Sequence, residues 1–523
     1  MTSNCVNETN KPTGITSNNA LSLSYNDLNK KNKGRMALFF KSVRGLEIPT
    51  LYQYMSDSIN ENIIDSFLIA FNTRDCRGGK GERALGRKSF IWLFINKPLL
   101  FRKIIHLIPE YGRWDDLLHF FPRVLNLQNI EYVRNNFCSL IENEEHLITL
   151  QVIQKQIVNI FVLKIKHDYT LMLKGKPCSI AAKWAPTEGD SLDKKTGVYK
   201  TLAKAMNIPP RTLRKVYLTP LRAYLKIVET YMCSGKWDEI NYNKVPSCAM
   251  KRLKKSFEKH DKERFNEWKT SLNDNSTLTK VNAKQLFPHE LIKEIRVKNN
   301  ADEVCEAQWK ILEKECLKGN LIDSIAVIDT SSSMFIQDYL PFDVAIALGL
   351  IISSCDGVFK NHVITFNTVP EFIEIKDGSL FNRWKQIYNI PWGGSTDILK
   401  TFEIILNKAK TFNVEPKDMP KTLWIISDMQ FNSASKVTNF EAIDNLYKLS
   451  GYIRPQIIFW NVVGSSTDFP VNSEENGTSL ISGFSPSIMK AILSDKEFTP
   501  FSILQETLNN NRLSAVKIAL END

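Results

Sequence analysis

Residues 322–334 read IDSIAVIDTSSSM, and this stretch decides the fold of the carboxyl-terminal part of the chain. IAVI is a short, mostly β-branched apolar run of the kind a strand buried on both faces needs. It ends at Asp329, with Ser331 and Ser333 following in D-x-S-x-S spacing. Working outward, HVITF (362–366), TLWIISD (422–428) and PQIIFWNVV (455–463) repeat the strand grammar. Between them FDVAIALGLIISS (342–354), DILKTFEIILNKAKTF (397–412) and FEAIDNLYKLSGY (440–452) are helical in pattern. Strand alternating with helix predicts an open, doubly wound, Rossmann-like α/β sheet over residues 319–523, with ligands beyond the carboxyl ends of the strands.

Three segments then converge on one crevice. Asp329, Ser331 and Ser333 end the first strand, and Asp428 ends a later one. PWGGSTDIL (391–399) offers Thr396, with Ser395 as an alternative, in a Gly-rich loop opening a helix. These donors are all hydroxyl or carboxylate oxygens, which suits a hard ion such as Mg²⁺, or Mn²⁺, with waters completing the shell. Few direct carboxylate bonds leave the ion with net positive charge and a position for a partner's carboxylate. A second reading of Asp329 and the serines is a cap on the following helix. Asp338 and Asp397 read as helix N-terminal acids rather than ligands.

The pattern resembles the metal-ion-dependent adhesion site of von Willebrand factor type A domains. That resemblance implies a metal set of Asp329, Ser331, Ser333, Thr396 and Asp428. It departs from the family at Ser395, because the threonine commonly follows the glycines directly.

The rest of the chain has another character. Of 68 Lys+Arg and 57 Asp+Glu, residues 319–523 carry 16 and 23, leaving 52 and 34 before residue 319. The carboxyl-terminal part is therefore −7 and the preceding part +18, which makes the latter the candidate for a polyanion. Residues 1–34, rich in Asn, Ser, Thr and Lys, predict a disordered arm. From 35 to 318 the pattern is helical: IIDSFLIAFNTR (63–74), ALGRKSFIWLFI (84–95), LLFRKIIHLI (99–108), VIQKQIVNIFVLKI (152–165) and LTPLRAYLKIVETYM (218–232). Stacked helical pairs in a HEAT-like but irregular array are expected, since no fixed-period repeat occurs.

In RDCRGGKGER (74–83) and the helix after it, Arg74, Arg77, Lys80, Arg83, Arg87 and Lys88 surround Gly78, Gly79 and Gly81. Such a turn can present cations and backbone N–H groups to a phosphate. The other reading is a tight helix corner whose arginines pair with Asp75 and Glu82. A Walker A loop is excluded, because Glu82 stands where the hydroxyl is needed. In EYGRWDDLL (110–118), Tyr111, Arg113 and Trp114 either stack on an unpaired base or pack between helices. Packing is the favoured reading for Trp114, Trp184 and Trp237. Lys183, Arg211, Arg214, Lys215 and Arg222 complete the RNA-binding candidates.

A basic helical part followed by this α/β part resembles the TROVE-module proteins, the family of the Ro ribonucleoprotein autoantigen. There a ring of irregular helical repeats binds RNA, and the type A domain closes it. RDCRGGKGER, HLIPEYGRWDDLL, SIAAKWAP, LTPLRAYLKIVE and VPSCAM look like signatures of a nearer family, known mainly from plants, fungi and large DNA viruses, with no assigned activity. The resemblances imply a non-catalytic, RNA-binding ribonucleoprotein component whose metal site recruits a protein partner with an exposed carboxylate. The alternative is a protein–protein scaffold without RNA, and a less favoured one a Mg²⁺-dependent hydrolase.

No catalytic centre is legible. The seven histidines are isolated, with no HExxH or Ser-His-Asp context. Nine cysteines without a CxxC pair predict reduced thiols and a cytoplasmic or nuclear setting. The first residues show no secretory pattern, and no run of about 18 apolar residues predicts a membrane span.

Overall fold

In a computed structural model of the chain, the described residues are 14–15, 21–121, 139–274, 278–318, 323–366, 370–390, 392, 398–430, 440–466, 469–485, 488 and 498–522. They form two compact units. The sheet unit comprises Met1–Thr73, Arg77–Leu85 and Ala283–Asn511, and the helical unit Arg74–Cys76, Gly86–Asn282 and Arg512–Asp523.

The sheet unit is built on six strands: β1 Ser324–Asp329, β2 His362–Phe366, β3 Phe372–Glu374, β4 Thr422–Ser427, β5 Gln456–Asn461 and β6 Thr478–Ser482. Their order is β3-β2-β1-β4-β5-β6, parallel throughout except for the antiparallel edge strand β3. Every residue of β1 and β4 is buried, so both faces of the sheet centre are covered. Ala326, Ile328, Trp424, Ile426, Ile458 and Trp460 alternate onto one face, where they join the apolar residues of helix Ile336–Ser353. Gly349 lets that helix approach closely: a Cβ there would lie 2.4 Å from Ile328 Cδ1. The strand order reverses between β1 and β4, and their carboxyl ends therefore frame the crevice of the fold.

The compact units do not follow the expected boundary at 318/319. Met36 to Lys41 of helix Lys33–Lys41 are all buried, and this helix packs against β6 and helix Pro500–Leu508. Helices Pro288–Lys298 and Glu303–Leu317 pack on Ile336–Ser353. Nor is the amino-terminal arm disordered over 21–34: Leu23 and Leu28 are buried, and Leu23 exchanges backbone hydrogen bonds with Phe469. A stretch poor in large apolar residues is ordered here by two leucines entering a ready-made core.

The helical unit is organised around the 30-residue helix Glu144–Leu173, against which helices Ala181–Trp184, Val198–Ala205 and Thr219–Tyr224 pack. Leu147, Leu150, Ile153, Ile157, Phe161 and Ile165 form its buried face. This helix and Ser332–Ser353 are long and apolar enough to cross a membrane. The second is interrupted by left-handed backbone at Gln337, Asp338 and Tyr339, and 72% of its most apolar window is buried, as a core helix requires.

Candidate metal centre

The polar end of the sheet follows from strand register. Ile328 pairs with Ile426, Ser427 with Asn461, and Asn461 with Ser482. A row of buried polar side chains, Asp329, Ser427, Asn461 and Ser482, therefore lines the carboxyl ends of four adjacent strands.

Asp329 is fully buried. Its Oδ1 accepts from the Ser331 backbone N–H at 2.9 Å and its Oδ2 from Ser427 Oγ at 2.5 Å. Ser331 Oγ lies 2.9 Å from Ser333 Oγ, and the Ser333 hydroxyl helps hold the Asp428 carboxyl down. Asp428 is buried and accepts from Gln430 N at 3.1 Å, while Met429 between them is held at φ 65°. Asp329, Ser331, Ser333 and Asp428 thus converge as expected, and Thr396, with Ser395, lies outside the described residues. The helix-cap reading is not met, since neither Ser331 nor the residue before helix Ile336–Ser353 makes a side-chain cap bond. Asp338 pairs with Lys293, and Asp397 is outside the described residues.

Burial, and then the charge of Asp428, push Asp329 up to about 7. Burial raises Asp428 as well, opposed by the Ser333 hydroxyl and by the Lys41 ammonium. Two ionised carboxylates held this way repel in a low-dielectric site, and a divalent cation between them would remove that cost. Hydroxyl and carboxylate oxygens without sulfur or imidazole are the donor set of Mg²⁺ or Mn²⁺, so the residues present fit such an ion. Among the described residues, no group of three His, Cys, Asp or Glu could hold a metal. Soft, zinc-type clusters are thus not seen there.

Ser427, Asn461 and Ser482 were not foreseen as part of this end. The signal for Ser427 was its place before Asp428, one residue out of phase with the ligand.

The expected RNA-binding cations separate into two groups. Arg74, only 2% exposed, binds Asp116 through Nε at 2.8 Å and Nη2 at 2.7 Å. Arg87 binds Asp116 at 2.6 Å and Asp115 at 3.1 Å, and Arg113 binds Asp115 at 2.8 Å while stacking over Trp184. Lys183 pairs with Glu229. Arg222 donates to the carbonyls of Ala182 and Ala185 and to Thr187 Oγ1. Lys80 is buried in the sheet unit, where its ammonium caps the carbonyls of Phe39 and Ser42 and meets Ser482 Oγ at 2.7 Å. All six have partners within the chain, and of them Arg74 and Lys80 are closed to solvent. Of the rest, Arg77, Arg83, Arg211, Arg214 and Lys215 are exposed and Lys88 is half-buried.

The acids of RDCRGGKGER, expected to pair with its own arginines, have partners from elsewhere in the chain. Asp75 pairs with Arg512 and Glu82 with Arg44, while Arg74 and Arg87 reach the aspartates of EYGRWDDLL. Gly81, at φ 72°, is required because a Cβ would meet the Phe287 ring at 2.5 Å. Tyr111 and Trp114 are buried, Trp114 against Phe161, so packing accounts for both. Trp237, half-buried, stacks on His260.

Two family models match this chain, and they meet near residue 320, by the expected boundary rather than at those of the compact units. Residues 323–517 match the family model described as "Domain of unknown function (DUF7788)", and residues 131–320 the one described as "Domain of unknown function (DUF2828)". Over 512 residues the chain is 28% identical to "Uncharacterized protein L728" of Acanthamoeba polyphaga mimivirus, covering 92% of this chain and 86% of the relative.

Proposed function

We propose that this chain is a binding protein rather than an enzyme. Its sheet unit holds one Mg²⁺ or Mn²⁺ through Asp329, Ser331, Ser333 and Asp428, and uses it to capture a carboxylate of a protein partner. The observation that carries this reading is the convergence of two buried carboxylates and two hydroxyls at the point where the strand order reverses. The resemblance to type A domains points the same way, and Thr396 would complete the set. The reading is tested by titrating the purified chain with Mn²⁺ and following its paramagnetic resonance. Wild type should bind one ion saturably and Asp428→Asn should not. Absence of saturable binding by wild type ends the proposal.

A second reading, RNA binding by the helical unit in the manner of irregular HEAT-like repeats, is favoured by a different observation. Lys194, Lys195, Lys200, Lys204, Arg211, Arg214 and Lys215 are all exposed on consecutive elements. Arg214 and Lys215 lie on a π-helical turn, Leu213–Leu218, a distortion frequent at functional sites. Such a band supplies phosphate contacts without base readout.

A further inference from the structure

The turn that carries Ser331 and Ser333 continues directly into an apolar surface. Phe342 is buried, and four partly exposed aromatic rings surround it: Phe335 at 5.3 Å, Tyr339 at 6.2 Å, Tyr388 at 5.9 Å and Trp392 at 4.2 Å. Ile336 (41% exposed), Tyr339 (43%) and Tyr388 (43%) open this shelf to solvent. Apolar side chains clustered and exposed in this way are not the scattered surface residues of an ordinary monomer.

The backbone is held against its preference to make the shelf. Gln337, Asp338 and Tyr339 take φ values of 52°, 57° and 62°, a conformation that costs non-glycine residues roughly 1–2 kcal/mol each. Arg296 braces the turn. Its guanidinium stacks 4.6 Å from the Tyr339 ring centre, donates to the Asp338 carbonyl at 3.0 Å and pairs with buried Asp343 at 2.9 Å. The turn thus leaves Ile336 and Tyr339 exposed in a backbone conformation that non-glycine residues rarely adopt.

We propose that this shelf is a specificity pocket for the same partner: it receives a bulky apolar side chain next to the carboxylate held by the metal. The occupant is an extended peptide segment in which Asp or Glu has an aliphatic or aromatic residue within two positions. Continuity supports this, since Phe335 lies two residues after Ser333 on one 3₁₀ turn. An extended chain advances about 3.3 Å per residue, so a residue within two positions of the bound acid lies within about 7 Å of it along the chain. The inference rests on the metal reading and adds to it the partner's sequence chemistry.

The test is selection of a phage-displayed random dodecapeptide library on the full chain, with Mg²⁺ or with EDTA. Clones retained only with Mg²⁺ should pair an acidic residue with a bulky apolar one. Ile336→Ser and Tyr388→Ser should each weaken the resulting peptides about tenfold while leaving Mn²⁺ affinity within about twofold. Mg²⁺-dependent clones with an acid but no apolar preference, or indifferent to both substitutions, overturn the shelf and leave the metal reading standing. A protein that binds Mn²⁺ but retains no Mg²⁺-dependent clone also overturns it. Failure to bind Mn²⁺ removes the reading beneath it.

Discussion

Asp329 and Ser427, 98 residues apart in the chain, are joined by a 2.5 Å hydrogen bond across neighbouring strand ends. The bond fixes one carboxylate oxygen, and the Ser331 backbone N–H fixes the other. A side chain clamped on both oxygens cannot swing away from Asp428, so the mutual repulsion of the two acids is built into the sheet. On the proposed reading, a cation would enter a preformed site.

Burial of Asp329, together with that repulsion, gives a pH dependence with a definite sign. Asp329 titrates near 3.9 when unfolded but is pushed up to about 7 by burial and by Asp428. Between those values the folded chain holds more protons, so its contribution to stability is fullest below about 4 and is lost as pH rises through 7, by up to about 1.4 kcal/mol per pH unit. The proposed Mg²⁺ would bind the ionised form. The difference in melting temperature with and without Mg²⁺ should therefore be small at pH 5 and large at pH 8. Equal shifts at both values would contradict the assignment.

Asp116 holds two arginines at once, Arg74 and Arg87, and its carboxylate is closed to solvent. Asp116→Ala leaves the buried Arg74 guanidinium without its counter-ion, and removing one partner of such a pair costs about 3–5 kcal/mol. Gly112 belongs to the same knot, since a Cβ there would lie 2.2 Å from Asp116 Oδ2. Urea denaturation should show both Asp116→Ala and Gly112→Ala strongly destabilised, and the exposed Arg211→Ala close to wild type.

Arg296→Met isolates the brace under the aromatic shelf. Asp343, which burial raises to about 6, loses its partner, and the left-handed turn loses both the hydrogen bond to the Asp338 carbonyl and a stacked ring. A loss of about 3–5 kcal/mol is expected, reduced when Asp343→Asn is added, because the second change removes the stranded charge. Additive losses in the denaturation of the double variant would show that the pair is not coupled.

How far the sequence was legible depended on where a residue's partner comes from. IDSIAVID, HVITF, TLWIISD and PQIIFWNVV appear as β1, β2, β4 and β5 because a fully buried strand announces itself by composition. β6 went unread: Thr478, Ser479 and Ser482 are polar yet buried, and one of them is satisfied by Lys80 from a distant loop. Edge strand β3 has only three residues, too few for a period. Asp329, Ser331, Ser333 and Asp428 were legible because strand ends in such a sheet converge by topology. The misread arginines carry no local mark of burial. Arg74 and Arg87 look like phosphate ligands until Asp116, 42 residues beyond Arg74, is brought to them. The compact units were hidden for the same reason, since the pattern of helix Lys33–Lys41 predicts burial but not against what.

RNA binding, if it resides in the exposed band of the helical unit, should be electrostatic and separable from the cation site. Replacing Lys200, Lys204, Arg211 and Arg214 with glutamate reverses four exposed charges and breaks no ion pair among the described residues. Filter binding of a labelled single-stranded RNA should then weaken by at least tenfold at low salt. The slope of log K against log salt should flatten as fewer counterions are released, by about 0.7 for each lost phosphate contact on a single strand. Arg74→Lys and Lys80→Met should lower stability and not the salt slope, because those cations already have partners inside the protein. The two outcomes together distinguish a binding surface from a fold that happens to be rich in arginine. A wild-type chain that retains no RNA at low salt would leave the helical unit with a scaffold role alone.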